Sequence, residues 1–189
     1  MSYLRTSNRR IVIDGNIGSG KTTQLKRLSE NQGIHVQCEP IHDWPLSLFY
    51  EDKQRWAFLL QMTILKSFLE NDAVVWERSP ESSREVFWKM LMKSGTGVKE
   101  EDAIYSYFYD TYSWTPDVHI YIRTEPEECF RRLSSRLQEG DTKIDLDYIK
   151  QVHTYYEDYI NSKNSVLIID GNKPPDEIHE EIIRALRDV

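Results

Sequence analysis

The sequence has few cysteines, no excess of positive charge and no long apolar run. Its two cysteines, Cys38 and Cys129, are too few for a disulfide framework or a cysteine-based zinc site. The formal net charge of −7 argues against a nucleic-acid partner, whose phosphates attract Lys and Arg. We therefore expect two reduced thiols and no nucleic-acid partner.

The sequence also shows no pattern typical of a membrane-spanning segment or a secretory signal. No apolar run approaches the roughly 20 residues that span a bilayer, and the N-terminal arginines precede no apolar signal region. The hydrophobic content of 39% excludes a disordered chain. We expect one domain over residues 1–189, a cytoplasmic location and no membrane partner.

Short apolar runs rich in β-branched residues alternate with helical patterns along the chain. The runs predict strands at 10–14, 34–39, 73–77, 118–122 and 166–170. The helical patterns cover 21–31, 53–70, 81–93, 99–113, 126–138, 146–161 and 175–187. This alternation predicts an α/β fold with a doubly wound, five-stranded parallel sheet and flanking helices. Ligands of such sheets bind beyond the carboxyl ends of the strands.

Residues 15–22 match the phosphate-binding pattern G-x-x-x-x-G-K-[ST], between a predicted strand and a predicted helix. Glycines let backbone N–H groups surround phosphate oxygens, and the helix N-terminus adds positive potential. Lys21 can reach the β- and γ-phosphates, and the Thr22 hydroxyl can hold Mg²⁺. We expect a nucleoside triphosphate to bind here. The residues of this ATP site are Gly15, Asn16, Ile17, Gly18, Ser19, Gly20, Lys21, Thr22 and Thr23.

Other motifs decide between the classes of protein that carry such a loop. A switch GTPase needs N-K-x-D, but prolines follow Asn172 and Lys173, and E-R-S-P stands where D-x-x-G is expected. A motor-type ATPase needs an apolar strand that ends in Asp, whereas this strand ends in Glu77. Both classes are therefore disfavoured.

A small-molecule kinase needs a carboxylate base, cations around the phosphoryl group and a lid that excludes water. Glu39 ends the second predicted strand, and Glu77 and Arg78 end the third. Arg132 and Arg136 are four residues apart and share one helix face. Each could be an ordinary solvated side chain, but together with the phosphate loop they favour a kinase.

Several separate motifs resemble those of the deoxynucleoside kinase family. They are G-N-I-G-S-G-K-T-T at 15–23, E-P-I-H-D-W at 39–44, Y-E-D-K-Q-R-W at 50–56 and E-R-S at 77–79. The resemblance spans about residues 10–170. It implies a P-loop NTPase fold with a helical lid, and Mg²⁺-dependent phosphorylation of a deoxynucleoside 5′-hydroxyl by ATP. It also implies a role in nucleoside salvage and DNA precursor synthesis.

The resemblance implies catalytic roles for residues that match the family motifs. Glu39 is the general base for the 5′-hydroxyl, and Arg78 contacts the 5′-oxygen and the phosphates. Glu77 and Thr22 hold Mg²⁺. The cations around the phosphoryl group are Lys21, Arg78, Arg132 and Arg136. The family's third lid arginine is replaced by Gln138, so charge neutralisation is weaker there.

The resemblance also implies a nucleoside site. Trp44 packs beside the nucleoside, Tyr50 binds the 3′-hydroxyl, Gln61 pairs with the base and Phe87 stacks on it. The family's 3′-hydroxyl-binding glutamate corresponds to the shorter Asp141. The full predicted set is Glu39, Trp44, Tyr50, Gln61, Ile64, Arg78, Ser83, Phe87 and Asp141.

The choice of base depends on the surroundings of Gln61, because one amide suits either thymine or cytosine. Deoxycytidine kinase places a charged Arg/Asp pair around its base, and the matching residues here are Phe68 and Ser83. An apolar and a small residue leave room for a 5-methyl group. We therefore expect thymidine first and deoxycytidine second.

Two alternative functions and a quaternary structure complete the expectations. A thymidylate-type nucleoside monophosphate kinase would share fold and loop, and a catalytically inactive P-loop module would serve only as an interaction domain. The motifs at residues 39–44 and 77–79 favour a nucleoside acceptor over the first, and the intact set of charged residues argues against the second. A homodimer is expected from the family resemblance.

Overall fold

The computed structural model describes residues 9–70, 72–136 and 143–187. Its strands are β1 (Ile11–Gly15), β2 (Val36–Gln37), β3 (Val75–Glu77), β4 (Val118–Arg123) and β5 (Leu167–Asp170). They form one sheet in the order β2-β3-β1-β4-β5, and every pairing is parallel. The predicted five-stranded parallel sheet is confirmed. Strand β1 is central and buried along its whole length, as expected for a strand covered on both faces.

Helices connect the strands. They are α1 (Lys21–Gln32), α2 (Leu46–Glu51), α3 (Lys53–Ser67), α4 (residues 80–93), α5 (Lys99–Tyr112), α6 (Pro126–Arg136), α7 (Leu146–Asn161) and α8 (Pro175–Arg187). Helix α4 is continuous but changes form: Pro80–Ser82 and Lys89–Lys93 are α-helical, and Ser83–Trp88 is a π-helix. None of the helices in the described ranges has the length and apolar character required to cross a membrane.

The structure differs from the predicted elements mainly at short segments. Strand β2 is limited to Val36 and Gln37, since only these residues pair with β3. Helix α2 and a 3₁₀ turn over Ile41–Asp43 were not predicted, because neither is long enough to show a helical repeat. Within the described residues, α6 ends at Arg136, and the predicted continuation to 138 falls outside them.

The chain forms two compact units. The first comprises Met1–Glu39, Asp72–Arg78 and Pro116–Val189, and the second comprises Pro40–Asn71 and Ser79–Thr115. The first contains the sheet, and aliphatic side chains such as Ile11, Leu25 and Ile182 form its core. The second is helical and has an aromatic-rich core around Trp88 and Tyr105. That residues 1–189 form one functional domain stays a prediction.

Candidate active site

The phosphate loop joins β1 to α1 in the first unit. Gly18 has a left-handed φ of 81°, and a Cβ at this position would lie 2.4 Å from the carbonyl oxygen of Cys129. Gly20 is the N-cap of α1 and is also left-handed, with φ of 97°. The loop therefore requires glycine at position 18 for both backbone conformation and space.

Gly18→Ala should lower the melting temperature more than Gly33→Ala does. Gly33 also has a left-handed φ, but a Cβ there would meet nothing within 4 Å. Both variants therefore carry the cost of an alanine in a left-handed conformation. Only Gly18→Ala adds a clash with Cys129. An extra destabilisation of about 2 kcal/mol corresponds to a melting temperature roughly 4–8 °C lower. Equal melting temperatures of the two ligand-free variants would contradict this role of the Cys129 contact.

Lys21 is buried at the start of α1. Its Nζ donates to the backbone oxygen of Asn16 at 2.8 Å and lies 3.9 Å from Glu77 Oε1. Burial and the positive charge of Arg78 lower the pKa of Lys21 to about 8, although nearby carboxylates oppose this shift. Negatively charged phosphate oxygens beside this amine would stabilise its protonated form.

Side chains from distant parts of the chain hold the loop. Asn16 Nδ2 donates to the Ile149 carbonyl oxygen at 2.9 Å, while its Oδ1 accepts from the Ile17 backbone N–H. Arg132 donates through Nη1 to the Ser19 carbonyl oxygen at 3.3 Å and through Nη2 to that of Gly171 at 2.9 Å. Arg132 is thus beside the phosphate loop, and its role toward the phosphoryl group stays a prediction.

The other predicted lid residues lie at the end of α6 or beyond. Arg136 is exposed and is the last residue of that helix. Within α6, Arg132 Nε also donates to Glu128 at 2.7 Å. Hydrogen bonds from Arg131 and Arg132 lower the pKa of Glu128 to about 2. Gln138 and Asp141 lie outside the described residues.

Thr22 and Glu77, the predicted magnesium ligands, are in contact. Thr22 Oγ1 lies 2.9 and 3.0 Å from the two carboxylate oxygens of Glu77. Burial and the charge of Glu39 raise the pKa of Glu77. A hydroxyl and a buried carboxylate provide hard oxygen donors, and a cation would relieve the repulsion between the carboxylates. Because Mg²⁺ commonly takes only one or two protein carboxylates together with substrate phosphates, these residues fit it.

Arg78 directly follows β3 and is held in an uncommon conformation. Its φ of 63° is left-handed, which is unusual for a residue other than glycine, and its backbone N–H donates to the Ile13 carbonyl oxygen at 3.2 Å. Its Nη1 forms a short ion pair with the Glu39 carboxylate. Burial lowers the pKa of Arg78, but Glu39 and other neighbours outweigh it and raise the pKa well above its ordinary value. The two residues predicted as cation and base are therefore paired.

In the second unit, Gln61 and Ser83 are in contact and almost fully buried. Ser83 Oγ lies on the π-helical part of α4 and donates to Gln61 Oε1 at 3.4 Å. Tyr105 is buried in the same unit with its ring stacked on Trp88, at 4.8 Å between centroids. Burial raises the pKa of Tyr105, so its hydroxyl stays neutral. The Ser83 hydroxyl that contacts the Gln61 amide is uncharged.

The remaining predicted nucleoside residues also fall in the second unit. Trp44, Tyr50 and Ile64 are half-buried and pack against its aromatic-rich core. Phe87 is half-buried within α4. Phe68 is buried, with its ring edge-on to Trp114 at 6.2 Å between centroids. Of the pair Phe68 and Ser83, Ser83 contacts Gln61, and Phe68 packs against Trp114.

Sequence reasoning missed three buried polar residues behind Arg78. Asp14, His119 and Tyr156 come from β1, β4 and α7, and hydrogen bonds link them. Asp14 and His119 could have been identified as polar residues within two otherwise apolar predicted strands. No local signal singled out Tyr156, which follows the ordinary helical repeat of α7.

Comparison with known proteins gives a consistent result. A family model described as deoxynucleoside kinase matches residues 11–189. Protein 029R of Invertebrate iridescent virus 3 is 35% identical in a 185-position alignment that covers 93% of this chain and 95% of that protein. The mitochondrial thymidine kinase 2 of Macaca fascicularis is 33% identical over 79% of this chain, which spans 63% of that protein's length. The thymidine kinase of Ictalurid herpesvirus 1 is 31% identical over 92% of this chain and 84% of that protein.

A solved structure supports the fold alone. Deoxyadenosine kinase from M. mycoides with bound dCTP has a TM-score of 0.84 and 20% identity to this chain. The match covers 95% of this chain and 100% of that one.

Proposed function

The chain belongs to the deoxynucleoside kinase family, and from this premise we propose that thymidine is its preferred acceptor and deoxycytidine the second. The protein is a deoxynucleoside kinase that uses a nucleotide as phosphate donor. The identity of that donor as ATP and the use of Mg²⁺ are further parts of the proposal. The contacts of the phosphate loop with its surroundings support them.

In the proposed reaction, the nucleoside 5′-oxygen attacks the γ-phosphorus of ATP. Glu39 takes the hydroxyl proton, the bond from the γ-phosphorus to its bridging oxygen breaks, and ADP leaves. The short Arg78–Glu39 ion pair supports this role, because it fixes the carboxylate at one position. Most of the rate enhancement then comes from positioning and charge.

Cations of the first unit would neutralise the phosphoryl group. Lys21 and Arg78 are buried, where an opposite charge interacts more strongly than in water. Thr22 and Glu77 would hold Mg²⁺, which when bound supplies positive charge to the phosphate oxygens. Arg132 would stabilise the loop through the Ser19 carbonyl oxygen. Arg136, at the end of α6, would add positive charge around the phosphoryl group.

The observation that most supports thymidine is the contact of the Gln61 amide with the small, neutral Ser83 hydroxyl. The Gln61 amide can donate to the O4 of thymine through Nε2 and accept from N3–H through Oε1. Cytosine can use the same two atoms, so the amide alone does not discriminate. The small, neutral Ser83 beside this amide leaves room for the 5-methyl group of thymine. Burial of one methyl group should favour thymidine over deoxycytidine roughly fourfold.

Ser83→Asp should shift selectivity from thymidine toward deoxycytidine. A carboxylate can accept from the cytosine amino group and repels the O4 of thymine, so the ratio of kcat/KM values for the two nucleosides should change about fivefold or more. The matched control is Ser83→Asn, which has nearly the same shape without the charge. A ratio within twofold of wild type in Ser83→Asp would contradict the role of this position in base selection.

A nucleoside panel at fixed ATP tests the proposed function directly. We expect kcat/KM to be highest for thymidine and lower for deoxycytidine, with no turnover of thymidine monophosphate. Preference for a purine deoxynucleoside would overturn the substrate assignment. Turnover of thymidine monophosphate above thymidine would instead identify a monophosphate kinase, which has the same fold but a different acceptor.

Three broader expectations follow from this function. We propose that the protein acts in nucleoside salvage for DNA synthesis, in the cytoplasm, and as a homodimer. Sedimentation equilibrium of the full chain tests the last, and a mass of one chain would overturn it.

A further inference from the structure

A buried hydrogen-bonded chain of side chains runs from Arg78 to His119 in the first unit. Arg78 Nε donates to Tyr156 Oη at 2.8 Å, and Tyr156 Oη lies 3.2 Å from Asp14 Oδ1. The other oxygen of Asp14 lies 2.7 Å from His119 Nε2. Asp14 and Tyr156 are fully buried, and His119 is 7% exposed.

The direction of these hydrogen bonds is fixed by chemistry. A guanidinium can only donate, so the Tyr156 oxygen accepts from Arg78 and its own O–H is left to donate to Asp14. Burial raises the pKa of Tyr156 well above its ordinary value, which keeps that proton in place. The Tyr156 hydroxyl thus accepts from the guanidinium and donates to the Asp14 carboxylate, and so links the two groups.

The Arg78 guanidinium contacts different residues through different nitrogen atoms. Its Nη1 holds the Glu39 carboxylate, while its Nε is held by Tyr156. Its left-handed backbone conformation is one that surrounding structure must maintain. Fixing the Nε of a planar guanidinium fixes the orientation of the whole group, and hence of the Nη atoms.

We propose that Tyr156, supported by Asp14 and His119, is a positioning residue that orients the Arg78 guanidinium for phosphoryl transfer. Tyr156 acts only through Arg78 and need not touch a substrate. The inference rests on the proposed function, because it assumes that Arg78 acts on the transferring phosphoryl group.

The neighbouring Tyr121 offers a matched control. Its ring stacks on that of Tyr156, with 5.6 Å between centroids and 23° between planes. Its hydroxyl donates instead to Glu157 Oε1 at 3.1 Å, away from the chain of hydrogen bonds that ends on Arg78. Tyr156→Phe and Tyr121→Phe therefore each remove one hydroxyl from the same stacked pair, but only the first removes a contact to Arg78.

The kinetic test compares kcat and nucleoside KM between these two variants and the wild type. The substrate is the nucleoside of a panel that the wild type phosphorylates best. Tyr156→Phe should lower kcat about 10-fold, with nucleoside KM within about twofold, because a small misorientation of a charged group affects the transition state most. Tyr121→Phe should keep kcat within about twofold of wild type. A kcat for Tyr156→Phe within twofold of wild type, or an equal loss in both variants, would overturn the proposal.

A second measurement tests the geometry without turnover. The Nε–H proton of Arg78 should give an NMR signal that exchanges slowly with water, and Arg78→Lys assigns it by its loss. We expect its exchange to accelerate at least about 10-fold in Tyr156→Phe and to stay unchanged in Tyr121→Phe. Unchanged exchange in Tyr156→Phe would overturn the inference. Failure of the wild type to phosphorylate any nucleoside would overturn the proposed function instead.

Discussion

Glu39→Gln is expected to lower kcat by about 10²–10⁴-fold and to change nucleoside Kd by less than about threefold. The amide keeps the size of the side chain and an oxygen that can accept from Arg78. It cannot take the 5′-hydroxyl proton at neutral pH. The loss should therefore fall on the chemical step and not on binding.

The measurement is single-turnover kinetics together with nucleoside binding. The matched control is Glu30→Gln, which makes the same change at an exposed position of α1 and should leave kcat within about twofold of wild type. If Glu39→Gln retained kcat within threefold of wild type, another group would have to be the base.

Removal of Lys21 should have a comparable effect on catalysis. Lys21→Ala should lower kcat about 10²–10³-fold, because a buried positive charge beside the transferring phosphoryl group is lost. Nucleoside Kd should change little, since Lys21 acts on the phosphates. Lys26→Ala, at an exposed position of the same helix, is the control and should behave like wild type.

The lowered pKa of Lys21 also predicts a pH dependence of ATP binding. With a pKa of about 8 in the free protein, Lys21 is charged at pH 7 and mostly neutral at pH 9. Phosphates favour the charged form, so the Kd for ATP should rise about 10-fold between these pH values. Lys21→Ala should lack this rise. The same pH dependence in Lys21→Ala and wild type would show that another group titrates.

Local sequence motifs predicted much of the first unit. The phosphate loop needs glycines at fixed spacing between a strand and a helix, and each requirement is local in sequence, so the pattern at 15–23 identified it. The position of Glu77 at the same edge of the sheet as the loop was also predicted, because the carboxyl ends of parallel strands lie at one edge. The contact of Glu77 with Thr22 is an observation of the structure.

Sequence patterns were less informative in the second unit. The repeat over 81–93 predicted one regular helix, but the π-helical segment Ser83–Trp88 changes the direction of its side chains. That segment carries Ser83, whose contact with Gln61 joins residues 22 positions apart. Phe68 packs edge-on to Trp114, a contact that depends on tertiary packing and that no sequence pattern predicted. Its place beside the base stays a prediction.

The sequence by itself determined the fold class, the phosphate loop and the family, because each depends on local patterns of apolar and motif residues. Only the tertiary structure decided how Arg78 is held. Its supports come from positions 14, 119 and 156, and β1, β4 and α7 bring them together. Hydrogen bonds between such distant residues depend on strand register and helix packing, which no short pattern encodes.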